Sequence, residues 1–190
     1  CTGLKRITIP ETIIRIEEGA FSHSALESIS VPDNVTEIGK EAFLNTRSLK
    51  EVNLGNGLTT IGYEAFRDCV NLAEIKIPNS VTKIDNYAFN KCTNLSNVVL
   101  SKELVTLGKY AFEECVSLEN IEIPKSLTDS QGTLVYQSNE SYYATGPFSK
   151  CSSLSKVTFE EGTQVIAPYL FANCTGLKRI TIPETIIRIE

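Results

Sequence analysis

The sequence predicts a solenoid, a chain wound into successive coils of 23 residues in which each coil seals the apolar interior of the next. Three observations predict it. Residues 72–94 read L-x-x-I-x-I-P-x-x-V-x-x-I-x-x-x-A-F-x-x-C-x-x, and the pattern restarts at Leu95; a fixed period of this length marks stacked repeats. A phenylalanine row, Phe21, Phe43, Phe66, Phe89, Phe112, Phe148 and Phe171, recurs at spacings of 22, 23, 23, 23, 36 and 23. Cys69, Cys92, Cys115, Cys151 and Cys174 each stand three residues after a row Phe, with Ser24 and Thr46 in the same slot of the first two full coils. One small side chain per turn in one place describes an inward stack.

Each coil divides into three parts. It opens on a leucine of the row Leu4, Leu26, Leu49, Leu72, Leu95, Leu118, Leu154 and Leu177. Behind each leucine comes a period-2 pair such as Ile29/Val31, Ile75/Ile77 or Ile121/Ile123, which is strand chemistry. Pro10, Pro32, Pro78, Pro124 and Pro183 then end the strand, because proline supplies no ladder N–H. A shorter extended piece follows, as in Val35/Ile38 and Val81/Ile84, with Gly39, Gly62 and Gly108 at its end. The remaining x-x-A-F-x-x-C arc has helix-like apolar separations but is long enough for only one α- or 3-10 turn. Ala and Phe should fill the far side of the coil. Because a unit can bury these residues only against its neighbours, the coils must stack.

Composition excludes several functions. The net charge of −5 is spread along the chain with no basic block, which disfavours nucleic acid and anionic membrane surfaces. No apolar run approaches the ~20 residues of a membrane-spanning helix. The chain contains no Met and starts inside a repeat at Cys1, so it reads as a piece of a longer array. The cysteine row predicts reduced, structural thiols that pack as small hydrophobes. Neighbouring turns are close enough for disulfides, but stacked side chains point the same way rather than at each other. Metal binding finds no support, since no His joins the row. His23 is the one histidine, in a shortened turn beside Phe21, and a surface residue is its simplest reading. No nucleophile motif, metal spacing, P-loop or dinucleotide fingerprint appears. The sequence therefore predicts no enzyme and no cofactor.

The L-x-x-I-x-I segment is the strand signature of leucine-rich repeats. With the added I-P-x-x-V-x-x-I-x-x-x-A-F-x-x-C it resembles the BspA-like (TpLRR-class) leucine-rich repeats of bacterial and protist surface proteins, over nearly the whole chain. The resemblance implies an α/β, β-rich leucine-rich-repeat solenoid. Its coil would be right-handed, with a parallel sheet along one face and short helical or 3-10 turns opposite. It also implies an extracellular or cell-surface location and the binding of protein or glycan ligands. A repeat motif encodes packing rather than chemistry, so function must come from the surface.

The sequence is read as a single solenoid over residues 1–190 with two departures from register. The first full unit is one residue short, in a turn around 22–25. The step from Phe112 to Phe148 carries 13 extra residues, within 129–145. Residues 133–136 and 141–143 there predict a small hairpin around 137–140. Its tyrosines, Tyr136, Tyr142 and Tyr143, break the repeat and are the first candidates for a ligand contact, since Tyr offers large amphipathic area at modest entropic cost. A hairpin that only covers a core edge is the competing account. Further candidates lie on the outward rows of the L-x-x-I-x-I strands: Glu51, Glu74, Asn97 and Asn120 in one row, Lys76 and Glu122 in the other. Ordinary solvated strand faces explain these rows as well. Tyr87, Tyr110 and Tyr169, two residues before a row Phe, should stack on one another. N-x-[ST] sequons stand at Asn34, Asn94, Asn139 and Asn173.

A longer repeat overlies the short one. Residues 1–17 and 174–190 are identical at all 17 positions, at an offset of 173. Packing constrains the inward positions but cannot force identity at Lys5/Lys178, Arg6/Arg179 or Arg15/Arg188. The block is expected to recur in tandem in the parent protein, with duplication of a single half-unit as the alternative. Uncapped repeat ends also predict end-to-end self-association. Function is expected to be binding or adhesion; the alternative is a spacer or self-assembling segment that binds nothing itself.

Overall fold

The computed structural model describes residues 3–136 and 142–189, apart from the side chains of Tyr136 and Tyr142. Six of the eight L-x-x-I-x-I segments form short strands; the first contributes only Thr8, in an isolated bridge to Ser30, and the last none. The six are β2 (Ser28–Ser30), β4 (Glu51–Asn53), β6 (Glu74–Lys76), β8 (Asn97–Val99), β10 (Asn120–Ile123) and β14 (Lys156–Phe159). The second extended pieces give β1 (Arg15–Ile16), β3 (Glu37–Ile38), β5 (Thr60–Ile61), β7 (Lys83–Ile84), β9 (Thr106–Leu107), β11 (Asp129–Ser130), β15 (Val165–Ile166) and β16 (Arg188–Ile189). The result is a β-solenoid of the leucine-rich-repeat type.

The unbroken ladder lies on the second pieces rather than on the leucine strands. There β1, β3, β5, β7, β9 and β11 form one parallel six-stranded sheet. The leucine strands run parallel too, but their ladder is divided into the pairs β2–β4, β6–β8 and β10–β14. Each break follows a coil with Gly55, Ser101 or Glu160 where Pro10, Pro32, Pro78 and Pro124 end the strand elsewhere. From Pro32 onward coils with and without proline alternate, and the strand pairing closes within each pair.

The arc opposite is built of overlapping β-turns instead of the expected helical turn. In the arc 39–46 the N–H groups of Ala42, Leu44 and Thr46 donate back three residues, to the carbonyls of Gly39, Glu41 and Phe43. The alternate N–H groups, of Glu41, Phe43 and Asn45, cross to the carbonyls of Tyr63, Ala65 and Arg67 in the next coil. A helix keeps its N–H groups within its own turns, whereas here every second one ties two coils together. In most arcs the geometry requires left-handed backbone at two places, as at Glu41 (φ 56) and Asn45 (φ 55), the third position of a type II turn.

Inside, the predicted rows stand in file. The rings of Phe21, Phe43, Phe66, Phe89, Phe112, Phe148 and Phe171 stack with centroids 4.9–6.0 Å apart. Leu26, Leu49, Leu72, Leu95, Leu118 and Leu154 are fully buried beside them. The 36-residue step leaves this file intact, with Phe112 and Phe148 rings 5.3 Å apart. The extra residues loop outward as a hairpin, β12 (Thr133–Tyr136) antiparallel to β13 (Tyr142–Thr145), in register from Thr133↔Thr145 to Tyr136↔Tyr142. A side chain at Gly146 would put its Cβ 1.9 Å from the Tyr169 carbonyl oxygen, so only glycine fits where the hairpin rejoins the coil.

Candidate binding surface

Because strands alternate their side chains across the sheet, burying Ile29, Val52, Ile75, Val98, Ile121 and Val157 turns the neighbours outward. Glu51, Glu74, Asn97 and Asn120 are exposed in one row, and Lys76 and Glu122 in the other. Pairing brings Glu74 beside Asn97 and Lys76 beside Val99, while Glu51 accepts a hydrogen bond from Asn53 Nδ2 at 2.9 Å. Along part of this face Asn97, Val99, Lys102, Asn120, Glu122 and Glu160 line a shallow groove of about 210 Å3. The strand-face candidates therefore lie on one solvent-facing surface, bearing both charges and amides.

The hairpin candidates lie elsewhere, over the turn arcs. Tyr143 is exposed, and it shares a recess of about 300 Å3 with Tyr110, Glu113, Thr145, Ser149, Lys150 and Asn173. The side chains of Tyr136 and Tyr142, and sequon residue Asn139, lie outside the described residues; the backbones of Tyr136 and Tyr142 pair across the hairpin. The recess floor is held by charge. Glu113 is nearly buried, accepting from Asn90 Nδ2 at 2.9 Å and meeting Lys150 Nζ at 3.0 Å. These bonds to Glu113, with a second to Glu114, raise the Lys150 ammonium above its ordinary range. Asn173 Nδ2 donates to the Ala144 carbonyl at 2.7 Å, which fixes β13 against the arc.

The recess continues into an aromatic row only partly expected from sequence. Tyr87 and Tyr110 do stack, with centroids 4.9 Å apart. Tyr63 joins them edge-on at 5.8 Å, although it stands three residues before its Phe rather than two. The Arg67 guanidinium lies 5.9 Å from the Tyr87 ring centre and Lys109 Nζ 4.8 Å from that of Tyr110. Burial pushes the Tyr63 and Tyr87 hydroxyls above their ordinary pKa, aided at Tyr63 by the Glu64 carboxylate. Tyr169 leaves the row because the insertion intervenes: a Cβ on Gly132 would come within 2.3 Å of the Tyr169 Cβ. The signal for this row was aromatic recurrence near the left-handed arc position, weaker than the Phe row because Glu and Gly also occupy that position.

The cysteine row is reduced and does more than fill space. Cys69, Cys92, Cys115, Cys151 and Cys174 are free and buried. Each thiol donates to the carbonyl of the Phe one coil back, from Cys69 to Phe43 at 3.3 Å through Cys174 to Phe148 at 3.0 Å. Thr46 donates likewise to Phe21 at 2.9 Å. The slot needs a small donor, which is why Cys, Thr and Ser share it. Burial pushes the Cys69 and Cys174 thiols up to about 12, far from a reactive thiolate. His23 is exposed, with Nδ1 2.7 Å from Asn45 Nδ2. Among the described residues no group of three His, Cys, Asp or Glu is placed to hold a metal ion, and no helix is long and apolar enough to cross a membrane.

Comparison with known proteins agrees with this architecture. The profile of the BspA type leucine rich repeat region matches in six copies, over residues 15–142 and 141–190. The leucine rich repeat protein of T. pallidum (TpLRR) superposes with a TM-score of 0.75 at 25% identity, covering 91% of this chain and 78% of that one. A leucine-rich repeat protein of Bacteroides ovatus gives 0.65 at 24% identity, over 100% of this chain and 63% of that one. A leucine rich cell surface protein of Faecalibacterium prausnitzii gives 0.57 at 26% identity, over 95% of this chain and 54% of that one. The chain thus spans less than two thirds of the length of the last two. Among curated proteins no sequence matches it. Repeat profile, stacked Phe file and parallel coil ladder lead to one assignment: this chain belongs to the BspA-type leucine-rich-repeat family.

Proposed function

We propose that the chain is a cell-surface binding or adhesion module, with the hairpin and its recess as the contact for a protein or glycan ligand. The observation that carries this reading is the hairpin itself. It adds nothing to the Phe file, yet it sets Tyr143 over a polar recess floored by Glu113, Ser149 and Lys150. Insertions that leave a solenoid core untouched are free to reach a partner. An aromatic edge beside a carboxylate, an ammonium and amides suits a polar ligand with some apolar surface. The two exposed strand rows, Glu51, Glu74, Asn97 and Asn120 in one and Lys76 and Glu122 in the other, offer a second face. A surface location is supported by the F. prausnitzii relative, described as a leucine rich cell surface protein. Catalysis has no part in this reading, because the buried thiols are held protonated and the family is one of repeat proteins.

The test is a glycan and matrix-protein binding screen with the whole chain and two variants. Replacing Tyr136, Tyr142 and Tyr143 by Ser should lower affinity at least tenfold, about 1.4 kcal/mol, with the circular dichroism spectrum unchanged. Replacing Glu51, Glu74 and Glu122 by Lys should leave that binding within about twofold if the hairpin is the contact. A hairpin variant that binds as well as the original sinks the assignment, and a chain that binds nothing in the screen favours the spacer.

A further inference from the structure

The tyrosine row over the arcs is interrupted where the hairpin rejoins the coil. Tyr87 and Tyr110 stand two residues before their row Phe, and in the next coil that place is held by Gly146. Tyr87 stacks on Tyr110 with centroids 4.9 Å apart, so the preceding coil covers one side of the Tyr110 ring. Gly146 brings no ring to the other side, and the Tyr169 carbonyl leaves it no space for one. The recess of about 300 Å3 lies at this interruption, lined by Tyr110 and by the exposed Tyr143 of the hairpin.

The polar groups of the recess are held in place by the fold. Ser149 Oγ accepts from the Gly146 N–H at 2.8 Å and donates to the Ala172 carbonyl at 3.0 Å. Thr145 Oγ1 donates to the Thr133 carbonyl at 3.1 Å. The nearly buried Glu113 carboxylate accepts from Asn90 and Lys150, yet each of its oxygens has a second lone pair. Lys150 Nζ reaches Glu113 and Glu114, which leaves the third N–H of the ammonium for a ligand. An acceptor and a donor therefore stand side by side in the recess. Their charges are balanced as well, because Lys109 Nζ lies 4.8 Å from the Tyr110 ring centre and adds a second ammonium to the two carboxylates. A cation would meet Lys150 and Lys109, and an anion would meet Glu113 and Glu114.

We propose that the recess binds one pyranose ring of an uncharged glycan, stacked on Tyr110 with adjacent hydroxyls held by Glu113 and Lys150. This rests on the adhesive reading of the hairpin and narrows its ligand to a neutral sugar. The C–H face of a pyranose packs against the apolar body of a tyrosine ring. Its hydroxyls both donate and accept, so one gives its proton to Glu113 while its neighbour accepts from Lys150, and both bonds are charge-assisted. The recess is at the small end of the ~300–1,000 Å3 usual for ligand sites, which suits one ring with the rest of the glycan in solvent. An aromatic side chain of a protein partner would stack on Tyr110 too. It would, however, lay a C–H edge on a carboxylate and an ammonium, stripping both of water without replacing it.

The test titrates the full-length chain with neutral gluco-, manno- and galacto-oligosaccharides and with sulfated and sialylated ones of similar length, followed by saturation-transfer NMR. Neutral sugars should bind at least tenfold more tightly than the acidic ones, with transfer strongest to a single ring. Tyr110→Leu keeps the apolar bulk, removes the ring face and should weaken neutral-sugar binding at least tenfold. Lys150→Met alters a side chain that is 59% exposed and outside the core, so it carries the test even where the leucine variant folds poorly; it should weaken binding severalfold. The inference is overturned by a chain that binds no neutral sugar at millimolar concentration, by a preference for acidic sugars, or by full affinity in the variants. A matrix protein held through Tyr136, Tyr142 and Tyr143 by a chain that binds no sugar overturns it and leaves the adhesive reading standing. Sugar binding that needs Tyr110 and Lys150 but survives loss of those three tyrosines does the reverse, keeping the recess and removing the hairpin as the contact.

Discussion

Single residues hold this solenoid through a repeated small donor. Each row cysteine gives its S–H to a Phe carbonyl of the preceding coil, and the surrounding apolar file keeps the thiol from ionising. The consequence is a dependence of stability on alkaline pH. Below the ordinary thiol value of 9.0 both folded and unfolded chains are protonated, and the contribution is complete. Above it the unfolded chain sheds protons that the fold retains up to about 12. Stability must therefore fall as pH rises through that window, by about 1.4 kcal/mol per pH unit for each such thiol. Urea midpoints measured at about pH 8 and about pH 10.5 should differ sharply. Equal midpoints would mean that these thiols ionise as readily in the fold as outside it.

At the scale of elements, the turn arc shows how a short segment serves two coils. Alternate N–H groups close local β-turns while the others reach the next coil, so the arc is both a corner and a ladder. That division requires left-handed backbone at Glu64, Tyr87 and Tyr110, residues that adopt it at some cost. The hairpin is attached to this arc through close backbone approach. Gly146 faces the Tyr169 carbonyl with no room for a Cβ. Replacing Gly146 by Ala should cost about 1–3 kcal/mol, the usual range for overpacking. It should also speed amide exchange across Thr133–Tyr136 and Tyr142–Thr145 more than in β6 or β8. Uniform protection after the substitution would show that the hairpin is held by something other than this approach.

The whole molecule is held by neighbour contacts, and its stability should be distributed accordingly. Phe89 is fully buried between Phe66 and Phe112, with ring centroids 5.1 and 5.0 Å away. Truncating Phe89 to Ala should cost about 3–5 kcal/mol. The same change at Phe171, stacked on one side at 6.0 Å, should cost roughly half as much. Denaturant titrations of the two variants decide between them. Equal costs would contradict a nearest-neighbour solenoid. The candidate contact residues fall in two separate regions, the strand rows and the hairpin over the arcs.

What the sequence determined by itself is the set of residues that face inward. A period of 23, a Phe row and a slot shared by Cys, Thr and Ser state which side chains must meet, and Phe112 and Phe148 stack despite the 36-residue step. The hairpin strands were legible for the same reason, since Thr133–Tyr136 and the tyrosines after it break the repeat. Tertiary structure alone decided which piece carries the continuous ladder, that the arc is made of turns, that Tyr63 joins the tyrosine row while Tyr169 leaves it, and that Tyr143 overlooks Glu113 and Lys150. The physical reason is one of range. Side-chain periodicity is written within a coil. The partner of a backbone N–H, or the neighbour of an exposed ring, belongs to another coil about 23 residues away and is settled only when the two coils pack.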